Sequence, residues 1–312
     1  MNKSNLKPIV RGAYDLQTLR IQMGGRIVAN FRAKLGILPS TKNDEAEVDA
    51  KKILKWLKEE YKLVTDGMAT FPRTFKENGE SLISNMAELV LVDQYFRFER
   101  EETKSFNQLK KVLKEYPIYT QFLEGVYGIG HTMAGVIISE IDIHKAKYAS
   151  SIWAYAGLDV VNGKGRSRKK EHLVEVEYTD RDGNKQMKKG ITFNPFLKTK
   201  LIGVLGSSFV KQSAEKCPYR LIYDNYKNRL RNNPDHKDKS KGHTHNMAVR
   251  YMVKMFLIDL YKVWREIEGL EVYPPYSEAK LGMKHQYREA IVPKTTKYTK
   301  RISKKETTIL RK

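Results

Sequence analysis

The chain has 312 residues, 40% of them hydrophobic, enough to bury a core and to exclude an intrinsically disordered tail protein. Its 58 lysines and arginines face 36 acidic residues, a net charge of +22 whose self-repulsion is costly unless a polyanion relieves it. Nucleic acids are the polyanions a soluble protein meets most often, and their phosphates take up Lys and Arg with release of counterions; the plain alternative is a generic basic surface.

A single cysteine, Cys217, excludes an internal disulfide and a cysteine-based zinc site. Residues 1–7 lack an apolar signal core, and the best apolar run, 134–138, is core-sized rather than membrane-sized. The expectation is an intracellular, cytoplasmic protein associated with the nucleoid, with no membrane partner.

In chain order, residues 2–39 are basic and mixed, and Gly24 with Gly25 predicts a break. From Asn43 the pattern becomes helical. Asp44, Glu45 and Glu47 stand at its front, and Ile53, Leu54, Leu57 and Tyr61 recur at helical spacing. Gly67 and then Pro72 are expected to end it. A second helical region over 80–115 carries Leu82, Met86, Leu89, Val90, Tyr95, Phe96, Phe98, Leu109 and Leu113, with Arg97, Arg100 and Lys104 outward. Its heptad is not strict, which argues against a dimer coil. Residues 1–115 thus read as a helical N-terminal region.

Pro117 opens the next region, 116–270. Phe122-Leu123-Glu124-Gly125-Val126-Tyr127 leads into Gly128-Ile129-Gly130 and an apolar helix. Residues 162–170 form a loop of glycine, arginine and lysine. Alternation from His172 to Tyr178, the turn Asp182-Gly183-Asn184 and a return over 185–191 predict a β-hairpin. Asn194-Pro195 starts a helix to about residue 215, and Pro218 starts another to about 231. Thr244 is expected to cap a long amphipathic helix ending near 268, and 271–312 is a basic tail. The predicted class is mainly α: a helix-hairpin-helix DNA-binding core with one small β-hairpin.

Three segments carry chemistry. Gly128-Ile129-Gly130-His131-Thr132-Met133-Ala134 has the helix-hairpin-helix pattern. Two glycines allow a tight turn whose free N–H groups, at the start of the next helix, hold a phosphate oxygen. Gly128, Gly130, His131 and Thr132 are the implied DNA contacts, and such contacts confer affinity without base reading. The plain alternative is an ordinary turn between core helices. In the loop, Lys164, Arg166, Arg168, Lys169 and Lys170 suit a phosphate clamp, the alternative being a solvated hairpin loop. Ser167 between two arginines is the candidate catalytic nucleophile, with no histidine or carboxylate at a spacing that makes it a base. Arg250 and Lys254, one turn apart, line either a DNA-facing stripe or a solvated face.

Other chemistry finds little support. His243 and His245 do not share a helix face, so no metal site is expected. Tyr219, Tyr223 and Tyr226 form a helical stripe better suited to core packing than to base stacking. Asp93, Glu99, Glu140 and Asp142 do not resemble the strand-borne carboxylates of a two-metal nuclease. There is no Walker loop.

Taken in order, several segments resemble the C-terminal transposase domain of the bridge-RNA-guided insertion-sequence transposases. They are Gly128-Ile129-Gly130, Glu140-Ile141-Asp142, Ala154-Tyr155-Ala156-Gly157-Leu158, the loop 162–168, the helix over 196–205, and Met247-Ala248-Val249-Arg250. The similarity covers roughly 124–268. It implies a helix-hairpin-helix DNA-binding domain in which a serine, in the loop after the Gly-Leu motif, forms a covalent link to DNA. That place aligns with Asn162, and Ser167 is the nearest serine. The family's N-terminal RNase-H-like domain, with its acidic metal ligands, has no counterpart in the helical pattern of 1–115.

The function expected is that of a DNA-binding protein of transposase or recombinase descent, gripping the phosphate backbone. Two alternatives stay open: an active serine-type transposase or recombinase working with a partner and magnesium, and a structured-RNA binder. Expected partners are double-stranded DNA, a guide or structured RNA, and a second copy of the chain. No other cofactor is expected.

Overall fold

Apolar residues spaced three and four apart build three long helices in the first part of the chain: α1 (Leu6–Lys34), α2 (Asn43–Thr65) and α3 (Met86–Leu113). The computed structural model describes residues 5–38, 43–66, 68, 70–161 and 163–274. The chain divides into two compact units, Pro8–Gln108 and Leu109–Lys312 with Met1–Lys7. The expected stop at Gly67 and almost all of the basic tail 271–312 lie outside the described residues.

In the Pro8–Gln108 unit the buried cluster includes Ile27, Phe31, Ile53, Leu57, Leu89, Val92 and Phe96. Buried side chains of this size each stabilise by about 1.5–3 kcal/mol. The break expected at Gly24 and Gly25 does not occur, since α1 runs straight through both. Packing overrides a propensity cost of about 1 kcal/mol per glycine. Gly24 faces Tyr95 so closely that a Cβ would lie 3.1 Å from its Cε2 atom. Arg97 and Arg100 point outward but fold back on the buried Asp93, at 2.6 and 3.9 Å. Tyr61 donates a 2.6 Å hydrogen bond to the same carboxylate, which makes Asp93 a structural acceptor.

The second unit is also built from helices: α4 (Pro117–Gln121), α5 (His131–Glu140), α6 (Ala149–Tyr155), α7 (Pro195–Thr199), α8 (Ser207–Lys211), α9 (Pro218–Asn232) and α10 (Lys241–Ile267). Asn194 caps α7 as expected, accepting from the Leu197 amide at 3.0 Å. A π-helical stretch, Lys200–Gly206, joins α7 to α8. It passes close to α10: a Cβ on Gly206 would meet Val249 Cγ1 at 2.5 Å. The cap of α10 is Ser240, accepting from the His243 amide at 3.2 Å, and not Thr244. The helix begins a turn earlier than apolar spacing indicates, and Thr244 is buried, donating to the Lys241 carbonyl at 3.0 Å. Phe256, Leu257, Leu260 and Trp264 of α10 are fully buried.

Strand is confined to two antiparallel hairpins among the described residues. The expected one pairs β3 (Val174–Thr179) with β4 (Lys185–Gly190), Val174 opposite Gly190 and Thr179 opposite Lys185. Asp180 closes its turn by accepting from the amides of Asp182 and Asn184 at 3.0 and 2.8 Å. A smaller hairpin that the sequence reading did not include pairs β1 (Val160–Val161) with β2 (Lys164–Gly165). The protein is mainly α, and no helix of the described residues is long and apolar enough to cross a membrane.

Candidate nucleic-acid interface

The turn before α5 follows a 3-10 turn at Leu123–Gly125. Gly128 has φ +93, a conformation that favours glycine, and the Ile129 amide closes the turn onto the Val126 carbonyl at 3.0 Å. Gly130 is the N-cap of α5, and no side chain caps that end. The first-turn N–H groups of α5 have no intrahelical acceptor, and such a helix start suits an anion. His131 and Thr132 stand half-buried beside them. Burial, and then the charge of Lys110, push the His131 imidazole below the usual histidine range.

The two glycines are not equivalent. Ser208 donates to the Gly128 carbonyl at 2.7 Å, and a Cβ on Gly128 would lie 2.8 Å from the Phe209 ring. A Cβ on Gly130 meets nothing within 4 Å. Gly128→Val is accordingly expected to destabilise the fold by about 2–4 kcal/mol through strain and overpacking. Gly130→Val is expected to leave the melting temperature within a few degrees while weakening ligand binding at the turn. Thermal unfolding of both variants checks this, and equal loss of stability would contradict it.

In the basic loop, Arg166 is not the free clamp the sequence suggested. Its guanidinium holds Asp159 through contacts of 2.9, 2.9 and 2.7 Å and donates to Thr192 Oγ1 at 2.7 Å. The hydrogen bond to Asp159 raises its pKa further. Arg166 thus straps the loop to the unit. Lys164 lies 3.7 Å from Glu171, while Arg168, Lys169 and Lys170 are exposed. Asn162, where the serine position aligns, lies outside the described residues.

Ser167 does have a histidine beside it, contrary to the sequence reading. A 3-10 turn at Lys170–His172 folds the chain back, and Ser167 Oγ and the Ser167 amide each lie 2.9 Å from His172 Nδ1. A separation of five residues matches neither helical nor strand periodicity, so spacing alone did not reveal it. The amide donates to Nδ1, which assigns the ring proton to Nε2. His172 is 4% exposed, and its Nε2 has no hydrogen-bond partner among the described residues.

Arg250 and Lys254 of α10 are half-buried and do not form a solvated face. Lys198 of α7, which the sequence reading passed over, joins them. Its Nζ donates to the Arg166 carbonyl at 2.5 Å and lies 4.5 Å from the centre of the Phe193 ring. Lys254 Nζ sits 5.1 Å from the Trp153 ring centre. Burial lowers the pKa of Lys198, Arg250 and Lys254; the charge of Arg250 lowers both lysines further, while Asp159 opposes the shift in all three. Arg166 and Arg168 add to the effect on Lys198.

Lys254 is therefore expected to titrate below the usual lysine range, measurable by NMR of methyl-labelled lysines. Its depressed pKa means that folding pays a penalty while the folded side chain is charged. That penalty is full below the folded pKa and fades as pH rises towards the unfolded value. A titration at the ordinary lysine pKa would contradict the burial.

The remaining candidates are structural. Tyr219 is buried and stacks on Phe209, and buried Tyr223 lies 2.6 Å from His245 Nδ1 through its hydroxyl. Tyr226 is half-buried and stacks on Tyr251. Glu140 accepts from Asn194 Nδ2 at 2.6 Å. Among the described residues no group of three His, Cys, Asp or Glu is placed to hold a metal. Comparison of the chain with protein-family models, curated proteins and solved structures finds no match.

Proposed function

We propose that the chain binds the phosphate backbone of double-stranded DNA and descends from a transposase or recombinase. The observation that carries the reading is that Lys198 and Arg250 both lie against the basic loop, at the Arg166 carbonyl and at Gly165, with the charge of Arg250 felt at Lys254 and Asp159 already engaged by Arg166. Partly buried cations in excess of carboxylates are unfavourable by themselves, and a phosphate relieves them. The uncapped start of α5 offers a second contact of the same kind. The net +22 supplies long-range attraction. Such contacts read no base, so affinity depends weakly on sequence, and a DNA partner places the protein with the nucleoid. The test is a gel shift with a duplex of arbitrary sequence, competed by unrelated duplex and by structured RNA. Equal competition by unrelated duplex is expected. Absence of duplex binding at low salt refutes the reading, and markedly tighter RNA binding transfers it to RNA.

The pairing of Ser167 with His172 favours a second reading, a serine-type strand-transfer enzyme acting with a partner. Serine attack on phosphorus needs an aligned hydroxyl and a base. His172 aligns the hydroxyl, but its Nδ1 also accepts the Ser167 amide, and taking the hydroxyl proton forces that bond open. Arg166 is held on Asp159, which already takes up its charge. The chain alone is therefore expected to form no covalent adduct with supercoiled or linear DNA in magnesium. Mass spectrometry finding a nucleotide on Ser167, lost in Ser167→Ala, would instead establish the enzyme.

A further inference from the structure

We infer that Lys198, Arg250 and Lys254 form a seat for a single phosphate group, in which the missing side chain at Gly165 makes room for the Arg250 guanidinium. The inference rests on the backbone-binding reading and assigns its tightest contact. Arg250 leaves α10 and lays its guanidinium against β2. A Cβ on Gly165 would stand 2.1 Å from Nη1, 2.7 Å from Cζ and 3.2 Å from Nη2. Only glycine at this position leaves the guanidinium where it is. Gly165 itself lies on the exposed β2 strand.

The Nη1 donor of Arg250 is buried and has no hydrogen-bond partner among the described residues. A buried guanidinium donor left unpaired is expensive, more so than a neutral one. The nearby carboxylate does not answer it, because Asp159 is engaged by three contacts to Arg166. Lys198 and Lys254 approach from α7 and α10, and each feels the charge of Arg250. Lys198 at the Arg166 carbonyl and Arg250 at Gly165 thus reach the same loop, and Lys254, one turn along α10, feels the charge of Arg250. A tetrahedral oxyanion with several acceptor oxygens answers all of them, and a planar guanidinium beside ammonium groups is suited to phosphate. The seat differs from the exposed lysines of the loop, which attract any polyanion without enclosing one group.

Inorganic phosphate is the probe, followed by phosphorus NMR and equilibrium dialysis with the full chain. Saturable binding of one phosphate is expected. Gly165→Ala keeps every charge and displaces only the flexible end of Arg250; it is expected to weaken phosphate binding at least about tenfold with the melting temperature unchanged. Arg250→Lys, which also keeps the charge, is expected to do the same and stands in if Gly165→Ala fails to fold. Lys185→Ser, which removes a charge that Glu177 already pairs at 3.0 Å on the β3–β4 hairpin, is expected to change nothing. Absence of phosphate binding, or equal binding in the wild type and both charge-preserving variants, overturns the seat.

A short duplex added to the phosphate complex separates the two sources of the ligand. Displacement of phosphate by the duplex assigns the seat to the nucleic-acid backbone, and failure to displace overturns that assignment. Duplex binding that survives without any phosphate binding refutes the seat alone. Phosphate binding without duplex binding refutes the DNA reading alone.

Discussion

Raising the salt concentration from about 50 to about 200 mM is expected to weaken duplex binding roughly a hundredfold, for a footprint of about four phosphates. The footprint follows from which cations are available. Arg168, Lys169 and Lys170 are exposed on the loop and count as one phosphate each, and the seat of Lys198, Arg250 and Lys254 counts as one more. Arg166 is excluded, because Asp159 already neutralises it. Each phosphate contact releases counterions and adds close to one unit to the slope of log affinity against log salt. Neutralising Lys169 is expected to lower the slope by about one, whereas neutralising Arg166 acts through the loop's attachment and changes stability first. Binding titrations over that salt range decide the matter, and a flat response would mean that the positive charge serves another purpose.

Phe209→Ala is expected to cost about 3–5 kcal/mol, a large share of the stability of an ordinary domain. Phe209 is fully buried. It stacks on Tyr219 with ring centres 4.9 Å apart and meets Phe256 edge-on at 5.6 Å. Truncation leaves a cavity where α8, α9 and α10 converge. It also removes the ring behind Gly128, so the turn before α5 loses its backing. Denaturant unfolding measures the loss, and a change below about 1 kcal/mol would show that this aromatic cluster does not hold the unit together.

Much of the helical framework is legible in the residues themselves. The apolar spacing of α2 and α3, the Asn194 cap with Pro195, and Pro218 at the start of α9 are local signals with local causes. The β3–β4 hairpin is equally local, since Asp180 and Gly183 satisfy the turn from within. Where two local signals compete, tertiary packing chooses. Gly24 and Gly25 read as a break, yet Tyr95 needs the space at Gly24 and the helix continues. Ser240 and Thr244 are both good caps, and burial of Thr244 leaves the role to Ser240.

By itself the sequence determined a mainly helical, strongly basic chain with a glycine turn and a basic loop, because composition, periodicity and turn chemistry act over a few residues. Which basic side chains remain available was decided only in three dimensions. Arg166 and Asp159 meet across the β1–β2 hairpin and not along a helix, and Lys198 reaches a carbonyl thirty-two residues away, contacts that the local pattern does not encode. Likewise, Ser167 meets His172 only because a 3-10 turn reverses the chain between them. The physical reason is common to all three: a charge or a hydroxyl acquires its role from what desolvates and pairs it, and those neighbours arrive from distant segments when the core closes.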